Sequence, residues 1–362
     1  MDQNVENKYS GKRVLIIMPE FYSYQAEIKK LLDGWGAVSF IYSEQPAEFE
    51  YLIRKNIKAV LNKAHLDSAI DMFAGFNKKL LEKIRAEVKT CDYLLVIRGN
   101  ILSEETVETI KREILAPDGH STYYTWDYLD TLYHKGNLGR LFDERYSFDS
   151  VDVKKRDDYK LLPLFYVDAY DVSRSNEAGA AGEADEKKYD FCYIASFTPF
   201  RHDCMKQILE KNPDARIYAK LYWRENVYNA KKIKDPKMVK NLNMDLITFT
   251  PFTNEQIRDI AMASRCIIDI THEKQNGLTM RTIETIGMGQ KLVTNNEHIA
   301  EYDFYRPGNI SVLTGCHGDS AAHPGQDAFL LPGNEWLDIP YELDEDIRSK
   351  YSVKSWLETL LG

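Results

Sequence analysis

The sequence lacks long hydrophobic runs and paired cysteines. A membrane-spanning helix needs roughly 20 consecutive apolar residues, and no stretch of these 362 residues approaches that length. The five cysteines are scattered without a CxxC pair, so neither a disulfide framework nor a cysteine zinc site is expected. The first residues, MDQNVENKYSGKR, have no apolar core of the kind that export signals carry. Together these absences predict a cytoplasmic protein with reduced thiols.

Several catalytic and metal-binding motifs are also absent. The sequence has no GxSxG, no P-loop and no convincing GxGxxG, so no motif supports a hydrolase, a kinase or a dehydrogenase. His272, His317 and His323 lack metal-ligand spacing and are expected to face solvent. Asp344-Glu345-Asp346 precedes a predicted helix, where acidic residues favour the helix dipole. We therefore predict no metal site and no bound cofactor.

The charge balance is acidic, with 47 lysines and arginines against 56 aspartates and glutamates and a net charge of −9. Such a balance argues against general nucleic-acid binding. The one basic run extends over residues 231–240 and is interleaved with apolar residues. Its first interpretation is a solvated surface, and its second is a peripheral contact with anionic membrane lipid.

The length and the order of the elements predict two α/β domains. A chain of 362 residues exceeds what one ordinary core supports. Buried-strand runs such as residues 12–18 alternate with helical patterns, and the alternation restarts at residue 189 after a small, polar stretch. We predict an N-terminal domain over 1–170, a linker or surface loop over 171–188, a C-terminal domain over 189–340 and a closing helical segment over 341–362.

The most informative stretch covers residues 265–296. A short apolar run, 266–270, predicts a buried strand, and a polar loop follows it and ends at Gly277. A helical pattern over 278–288 then closes at a glycine stop, and a second strand is predicted at 291–294. This order is the building block of a parallel α/β sheet, in which ligands bind where strand ends meet helix N-termini.

The loop and the first helical turn carry groups that suit a phosphorylated nucleoside. The backbone N–H groups of Gly277, Leu278 and Thr279 could face a diphosphate, and the alternative is an ordinary strand-to-helix turn. Arg281 has the planar donor fork that phosphate favours, and Glu284 could accept hydrogen bonds from two ribose hydroxyls. The alternative for these two is an exposed ion pair between residues three apart.

Two further candidates follow other predicted strands. Arg201 comes shortly after a strand that ends at Ser196, so it is a candidate for a phosphate contact or, alternatively, part of a solvated helix start. Asp127 follows a strand at 121–125 and could act as a general base. The alternative for Asp127 is a helix or turn cap, to which aspartate is well suited.

A family resemblance extends over most of the chain. The matching stretches are DYLLVIRGN (92–100), YTWDYL (124–129), FDSVDVKK (148–155), LLPLFY (161–166), YDFCYIAS (189–196), QNGLTMRTIETIGMGQKLVTNN (275–296) and YDFYRPGNI (302–310). On these stretches the chain resembles bacterial glycosyltransferases of the GT-B architecture, especially those of capsule, exopolysaccharide and lipopolysaccharide biosynthesis. The block at 275–296 is the most specific part of the resemblance.

The resemblance implies an α/β fold with two Rossmann-like domains that face each other across a cleft. Glu284 falls where such enzymes place a ribose-binding glutamate, and the 277–281 turn falls where they hold the diphosphate. Retaining members often carry a second glutamate seven or eight residues earlier, where this sequence has Gly277 and Asn276, so the stereochemistry stays open. The helical pattern at 347–361 fits the family's closing helix, which commonly crosses back onto the first domain.

The function implied by the resemblance is a metal-independent glycosyltransferase of envelope polysaccharide assembly. The C-terminal domain would bind a nucleotide-sugar donor, and the N-terminal domain would bind a glycan or lipid-linked acceptor. A nucleotide-sugar epimerase of the same fold is one alternative. A glycosyltransferase-like binding subunit without catalytic activity is another, since a fold does not fix a function. The donor sugar, the nucleotide, the acceptor and the oligomeric state are left open by the sequence.

Overall fold

The computed structural model describes residues 8–20, 24–44, 73–173, 187–271, 275–316 and 328–362. The chain divides into two compact units. Unit 1 comprises Met1–Pro163 together with Val353–Gly362, and unit 2 comprises Leu164–Ser352. Residues 174–186 of the predicted linker lie outside the described residues, as do His272, His317 and His323.

Unit 1 contains a parallel sheet of six strands in the order β2-β1-β3-β4-β5-β6. The central strands are buried along most of their length, as their continuous apolar runs predict. Ser103 is the N-cap of the helix that begins at Glu104, and its hydroxyl accepts a hydrogen bond from the backbone N–H of Thr106 at 3.2 Å. The elements are β1 Arg13–Met18, α1 Tyr24–Gly34, β2 Val38–Ser43, α2 Ala74–Glu87, β3 Cys91–Ile97, α3 Glu104–Glu113, β4 Leu115–Thr125, β5 Glu144–Ser147, α4 Ser150–Lys155 and β6 Lys160–Leu161.

Unit 2 contains a second parallel sheet of six strands, in the order β12-β11-β10-β7-β8-β9. The prediction of two α/β domains, each built on a parallel sheet, is therefore confirmed. The elements are β7 Tyr189–Ser196, α5 Pro199–Lys211, β8 Ile217–Tyr222, α6 Glu225–Lys234, α7 Pro236–Lys240, β9 Ile247–Thr248, α8 Asn254–Met262, β10 Ser264–Asp269, α9 Met280–Gly287, β11 Lys291–Thr294, β12 Ile310–Val312, α10 Asn334–Leu337 and α11 Glu345–Ser349. No helix within the described ranges is long and apolar enough to cross a bilayer.

The chain enters unit 2 at Leu164, a few residues before the expected boundary at residue 170. The segment that follows carries buried aromatic side chains, among them Tyr166 and Tyr170. These residues pack against the end of α9, where an added Cβ on Gly287 would lie 2.5 Å from the Tyr166 ring. The segment therefore belongs to the core that supports α9.

The closing segment of the chain is divided between the two units. Residues up to Ser352 belong to unit 2, whereas α12, Val353–Leu361, belongs to unit 1 and packs against β3, β4 and α1. Trp356 of α12 is 1% exposed, and its ring centroid lies 5.1 Å from that of Tyr124. The Thr122 hydroxyl donates a hydrogen bond to the Leu360 carbonyl at 2.7 Å. The single helical pattern predicted over 347–361 is thus interrupted, and its last part completes the first sheet's helical layer.

The central strand–loop–helix–strand unit is present, with β10, α9 and β11 in the predicted order. The helix starts two residues later than expected, at Met280, because Thr279 is its N-cap. Its end matches the predicted glycine stop, since Gly289 adopts the left-handed region at φ 62°. Arg348 of α11 donates a hydrogen bond to the carbonyl of Gly287 at 3.2 Å, which satisfies part of the helix C-terminus.

Gly287→Ala should lower the free energy of unfolding by about 1–3 kcal/mol, because the new methyl group would overlap the Tyr166 ring and the Tyr170 carbonyl oxygen. Gly34→Ala is the matched control, since no atom lies within 4 Å of a Cβ at that helical position. The control should be neutral or slightly stabilising. Urea unfolding of both variants tests the close packing, and equal stability of the two would contradict it.

Candidate functional site

The order of strands in unit 2 places a topological switch point between β7 and β10. From β7 the chain proceeds outward to β8 and β9, and it returns on the other side of β7 with β10, β11 and β12. The connections that leave β7 and β10 therefore diverge, and ligands of doubly wound sheets bind in the crevice outside such strand ends. The segments that follow these two strands contain every donor-site residue predicted from the sequence.

Asp269, the last residue of β10, fixes the start of α9. Its carboxylate accepts hydrogen bonds from the hydroxyls of Thr279, at 2.5 Å, and Thr282, at 2.7 Å. The Thr279 hydroxyl also accepts the backbone N–H of Thr282 at 3.1 Å. Asp269 is 4% exposed, so this network is shielded from water. No sequence pattern singled out Asp269, although a carboxylate at the end of a buried strand was a usable signal.

Asn295 and Asn296, which follow β11, support the loop after β10. The Asn295 side chain accepts the Thr271 backbone N–H at 2.7 Å and donates to the Cys316 carbonyl at 2.8 Å. The Asn296 amide donates to the Asn276 carbonyl at 2.8 Å. Both asparagines are buried. Sequence reasoning missed them as well, because their partners are about 20 residues away along the chain.

The predicted phosphate turn is held in place on both sides. The Gly277 carbonyl accepts a hydrogen bond from the Gln275 side chain at 3.0 Å, and the Leu278 side chain is 2% exposed. The Thr279 hydroxyl is used by the cap and by Asp269. Any ligand contact of these three residues must therefore come from the backbone N–H groups at the start of α9, where the helix dipole attracts an anion.

Arg281 and Glu284 form the ion pair of 3.0 Å that the alternative interpretation predicted. The pair is not exposed, however, since the Glu284 side chain is 6% exposed and that of Arg281 is 19% exposed. Burial raises the pKa of the neighbouring Tyr170 phenol well above its usual value, and the charge of Glu284 raises it further. A buried ion pair is costly to desolvate and contributes little net stability. Its presence one turn into α9 therefore favours a binding role over a structural one.

Arg201, near the start of α5, joins the carboxyl ends of the two central strands. Its Nε donates to the Ile270 carbonyl at 3.0 Å, and one terminal nitrogen donates to the Ser196 carbonyl at 3.3 Å. The alternative of a purely solvated helix start is therefore wrong. A guanidinium carries five N–H donors, so these two bonds leave capacity for an anion at the same edge.

Unit 1 has its own charged cluster at the carboxyl ends of β2, β3 and β4. Arg98 lies 3.5 Å from Glu44 and 2.7 Å from Asp127. Glu44 is 1% exposed and accepts the backbone N–H of Asn100 at 2.9 Å. Arg98 itself adopts a left-handed conformation at φ 69°, which is uncommon for a residue other than glycine. The cluster lies at the switch point of the first sheet, where β1 separates β2 from β3.

Asp127 is a member of this cluster and does not act as a cap within the described part of the chain. In the turn after β4, the carboxylate that accepts a backbone hydrogen bond belongs to Asp152, which accepts the Leu129 N–H at 2.7 Å. The Asp127 side chain is 39% exposed and pairs with Arg98. The predicted candidate base is thus accessible and oriented by a cation, whereas Glu44, which no sequence pattern indicated, is buried beside it.

Within the described ranges, no group of three or more histidine, cysteine, aspartate or glutamate side chains is placed to hold a metal ion. Asp344 precedes α11 at its N-cap position, and Glu345 forms an ion pair with Arg348. Asp344, Glu345 and Asp346 are all exposed, so this acidic run lies on the surface at the start of α11.

The environment of Glu44 generates a prediction about pH. Burial raises the pKa of this carboxyl from 4.5 to about 7. Between these values the native protein binds more protons at Glu44 than the unfolded chain does, so the free energy of unfolding should fall as the pH rises. Above about 7 the penalty should reach roughly 2–4 kcal/mol. Glu44→Gln should remove this contribution, as measured by urea unfolding across the window.

The exposed Glu105 of α3 offers the control, because Glu105→Gln should leave the pH profile of the wild type unchanged. A Glu44→Gln profile parallel to that of the wild type would show that Glu44 ionises in the native state as it does in the unfolded chain.

No protein-family model matches the sequence, and no curated protein matches it. Solved structures do match over nearly the whole chain. Anabaena HepE in complex with UDP-glucose has a TM-score of 0.57 at 11% identity, over 96% of this chain and 98% of that one. A glycosyltransferase from Rickettsia africae ESF-5 has a TM-score of 0.57 at 12% identity, over 97% of both chains.

The catalytic domain of starch synthase IV from Arabidopsis thaliana, bound to ADP and acarbose, has a TM-score of 0.51 at 8% identity, over 97% of this chain and 98% of that one. At such low identities the similarity concerns the fold. The two α/β domains of this chain, each built on a parallel sheet, match the GT-B architecture.

Proposed function

We propose that the protein is a glycosyltransferase that moves a sugar from a nucleotide-sugar donor to a glycan or lipid-linked acceptor in bacterial envelope polysaccharide assembly. The observation that carries the proposal is the buried Arg281–Glu284 pair one turn into α9, at the switch point of the second sheet. The match to HepE, a protein whose structure contains UDP-glucose, supports a nucleotide-sugar as the donor.

The donor's nucleotide would bind at the start of α9. Glu284 has two carboxylate oxygens that can accept hydrogen bonds from vicinal ribose hydroxyls. The diphosphate would accept hydrogen bonds from Arg281, from Arg201 and from the backbone N–H groups after Gly277. Two guanidinium groups and a helix N-terminus supply the positive charge that this anion requires. The hydrogen bonds that the Thr279 and Thr282 hydroxyls donate to Asp269 hold these donors in place before the ligand arrives.

The transfer itself requires positioning and charge stabilisation. The acceptor oxygen forms a bond to the anomeric carbon, and the bond from that carbon to the phosphate oxygen breaks. Negative charge then develops on the diphosphate, where Arg281, Arg201 and the helix N-terminus would stabilise it without a metal ion. In an inverting reaction the acceptor proton would move to a base, and we assign that role to Asp127, the accessible carboxylate of the cluster in unit 1.

The overall proposal is tested by giving the protein UDP-glucose with and without a lipid-linked glycan extract, in the presence of excess chelator. We expect rapid UDP release and a glycosylated product only when the extract is present. Conversion of the donor to an epimer without acceptor would instead establish the epimerase alternative. Binding without any turnover would establish the binding-subunit alternative. Activity restored only by a divalent cation would overturn metal independence.

Glu284→Gln keeps the shape of the side chain but removes its charge and one of its acceptor positions. Loss of charge-assisted hydrogen bonds to the ribose should cost about 1.5–3 kcal/mol, which is roughly a ten- to hundredfold loss of affinity for UDP. Titration calorimetry with UDP measures the change. Glu210→Gln, on the exposed face of α5, is the matched control and should bind UDP like the wild type. Unchanged affinity in Glu284→Gln would remove the residue from the donor site.

The variant Asp127→Asn distinguishes a catalytic role of this side chain from a structural one. The asparagine carbonyl can still accept a hydrogen bond from Arg98, but the side chain can no longer take a proton. Turnover with donor and acceptor should therefore fall by roughly 10²–10⁴-fold, while UDP affinity stays near that of the wild type. The exposed neighbour Asp130 provides the control Asp130→Asn. Turnover of Asp127→Asn within a few-fold of the wild type would mean that another group is the base.

A further inference from the structure

Helix α6 of unit 2 presents an apolar stripe to solvent. None of its ten residues, all of which are described, is buried. Its inner side contacts the unit through Tyr228, whose ring lies 4.9 Å from Phe249 and 5.3 Å from Trp223 between centroids. On the other side, the side chain of Val227 is 43% exposed and that of Ile233 is 84% exposed.

The exposed apolar residues form a continuous surface. Val227, Ala230 and Ile233 recur at every third position, so they lie along one side of the helix. This pattern is the reverse of a surface helix in a soluble domain, which turns its apolar side inward. Ile233 is 84% exposed and contributes little to the packing of unit 2, and together with Val227 it adds exposed apolar area to this surface. Exposed apolar patches with a polar rim mark interaction sites.

Lysines surround this stripe. Arg224 to Lys240 contains six cationic and two anionic side chains, a net charge of +4 in a chain whose total is −9. Lys231 pairs with Asp235 at 3.3 Å. Four others are exposed without an ion pair in the part of the chain that the structure describes, and they lie on α6 and on α7, which contacts α6: Lys232, Lys234, Lys237 and Lys240.

We propose that α6 and α7 form a docking surface for an anionic phospholipid bilayer, with the apolar stripe entering the headgroup region and the four lysines at the phosphate level. Charge complementarity selects this occupant, because the surface combines concentrated cations with exposed aliphatic side chains, as interfacial helices do. A nucleic acid would use the cations but would gain nothing from Ile233 and Val227. The proposal stands independently of the donor site.

The test is co-sedimentation of the full chain with vesicles of phosphatidylcholine alone or mixed in equal parts with phosphatidylglycerol. Binding is expected only to the mixed vesicles, and it should weaken as salt is added. Each lysine at an anionic surface contributes about fivefold to partitioning, so changing all four to glutamine should weaken binding roughly a hundredfold or more. Ile233→Ser should weaken it roughly three- to tenfold.

Matched controls separate the surface from general charge and hydrophobicity. A control variant of unit 1 removes the same charge from four exposed lysines and should leave vesicle binding nearly unchanged; it carries Lys30→Gln, Lys78→Gln, Lys89→Gln and Lys155→Gln. Ile339→Ser, at an isoleucine that is 44% exposed elsewhere in unit 2, should also bind like the wild type. All variants should bind UDP and unfold thermally like the wild type. These two measurements exclude misfolding and show that the donor site is unaffected.

The proposal would be overturned if the wild type bound both kinds of vesicle equally or bound neither. It would also be overturned if the α6–α7 variant and the unit 1 lysine control lost binding equally, since that result would indicate nonspecific charge attraction. Tight binding to a DNA duplex that depends on the four lysines but not on Ile233, with no vesicle binding, would assign the surface to nucleic acid.

Discussion

The geometry of the second unit's binding edge depends on one carboxylate. Asp269 ends the strand β10, and by accepting the hydroxyls of Thr279 and Thr282 it fixes where α9 begins. A buried hydroxyl without a partner costs about 1–3 kcal/mol, so the helix cannot shift its start without losing these bonds. The orientation of Arg281 and Glu284 follows from that start, because both lie within the first turns of the helix.

The rest of the edge is held by side chains from neighbouring strands. Asn295 and Asn296, after β11, bond to the backbone of the segments on either side of the loop that follows β10, and Arg201 joins the ends of β7 and β10. Gly287 allows the other end of α9 to lie directly on the Tyr166 ring. Because these contacts hold the edge in place without a ligand, little conformational entropy is lost when a ligand binds.

Electrostatics distinguishes the two units. In unit 2 the switch point brings two guanidinium groups and a helix N-terminus together with two buried carboxylates, Asp269 and Glu284. The guanidinium groups and the helix N-terminus favour an anionic ligand. In unit 1 the corresponding edge gathers two carboxylates around Arg98, and burial holds the pKa of Glu44 near 7. Paired titratable groups with different environments are typical of sites that move protons. The two edges therefore differ in electrostatic character.

The sequence by itself determined the two α/β domains, most strand positions and the unit from β10 to β11, because buried strands and capped helices leave local patterns of apolar residues, threonine and glycine. It also indicated Glu284 and Arg281 through their spacing. Only the tertiary structure decided that this pair is buried and that Asp127 pairs with Arg98. It also decided which buried polar residues hold the strand ends: Glu44 in unit 1, and Asp269, Asn295 and Asn296 in unit 2. Burial and hydrogen bonds between distant segments depend on strand order, and no local pattern encodes which strands become neighbours.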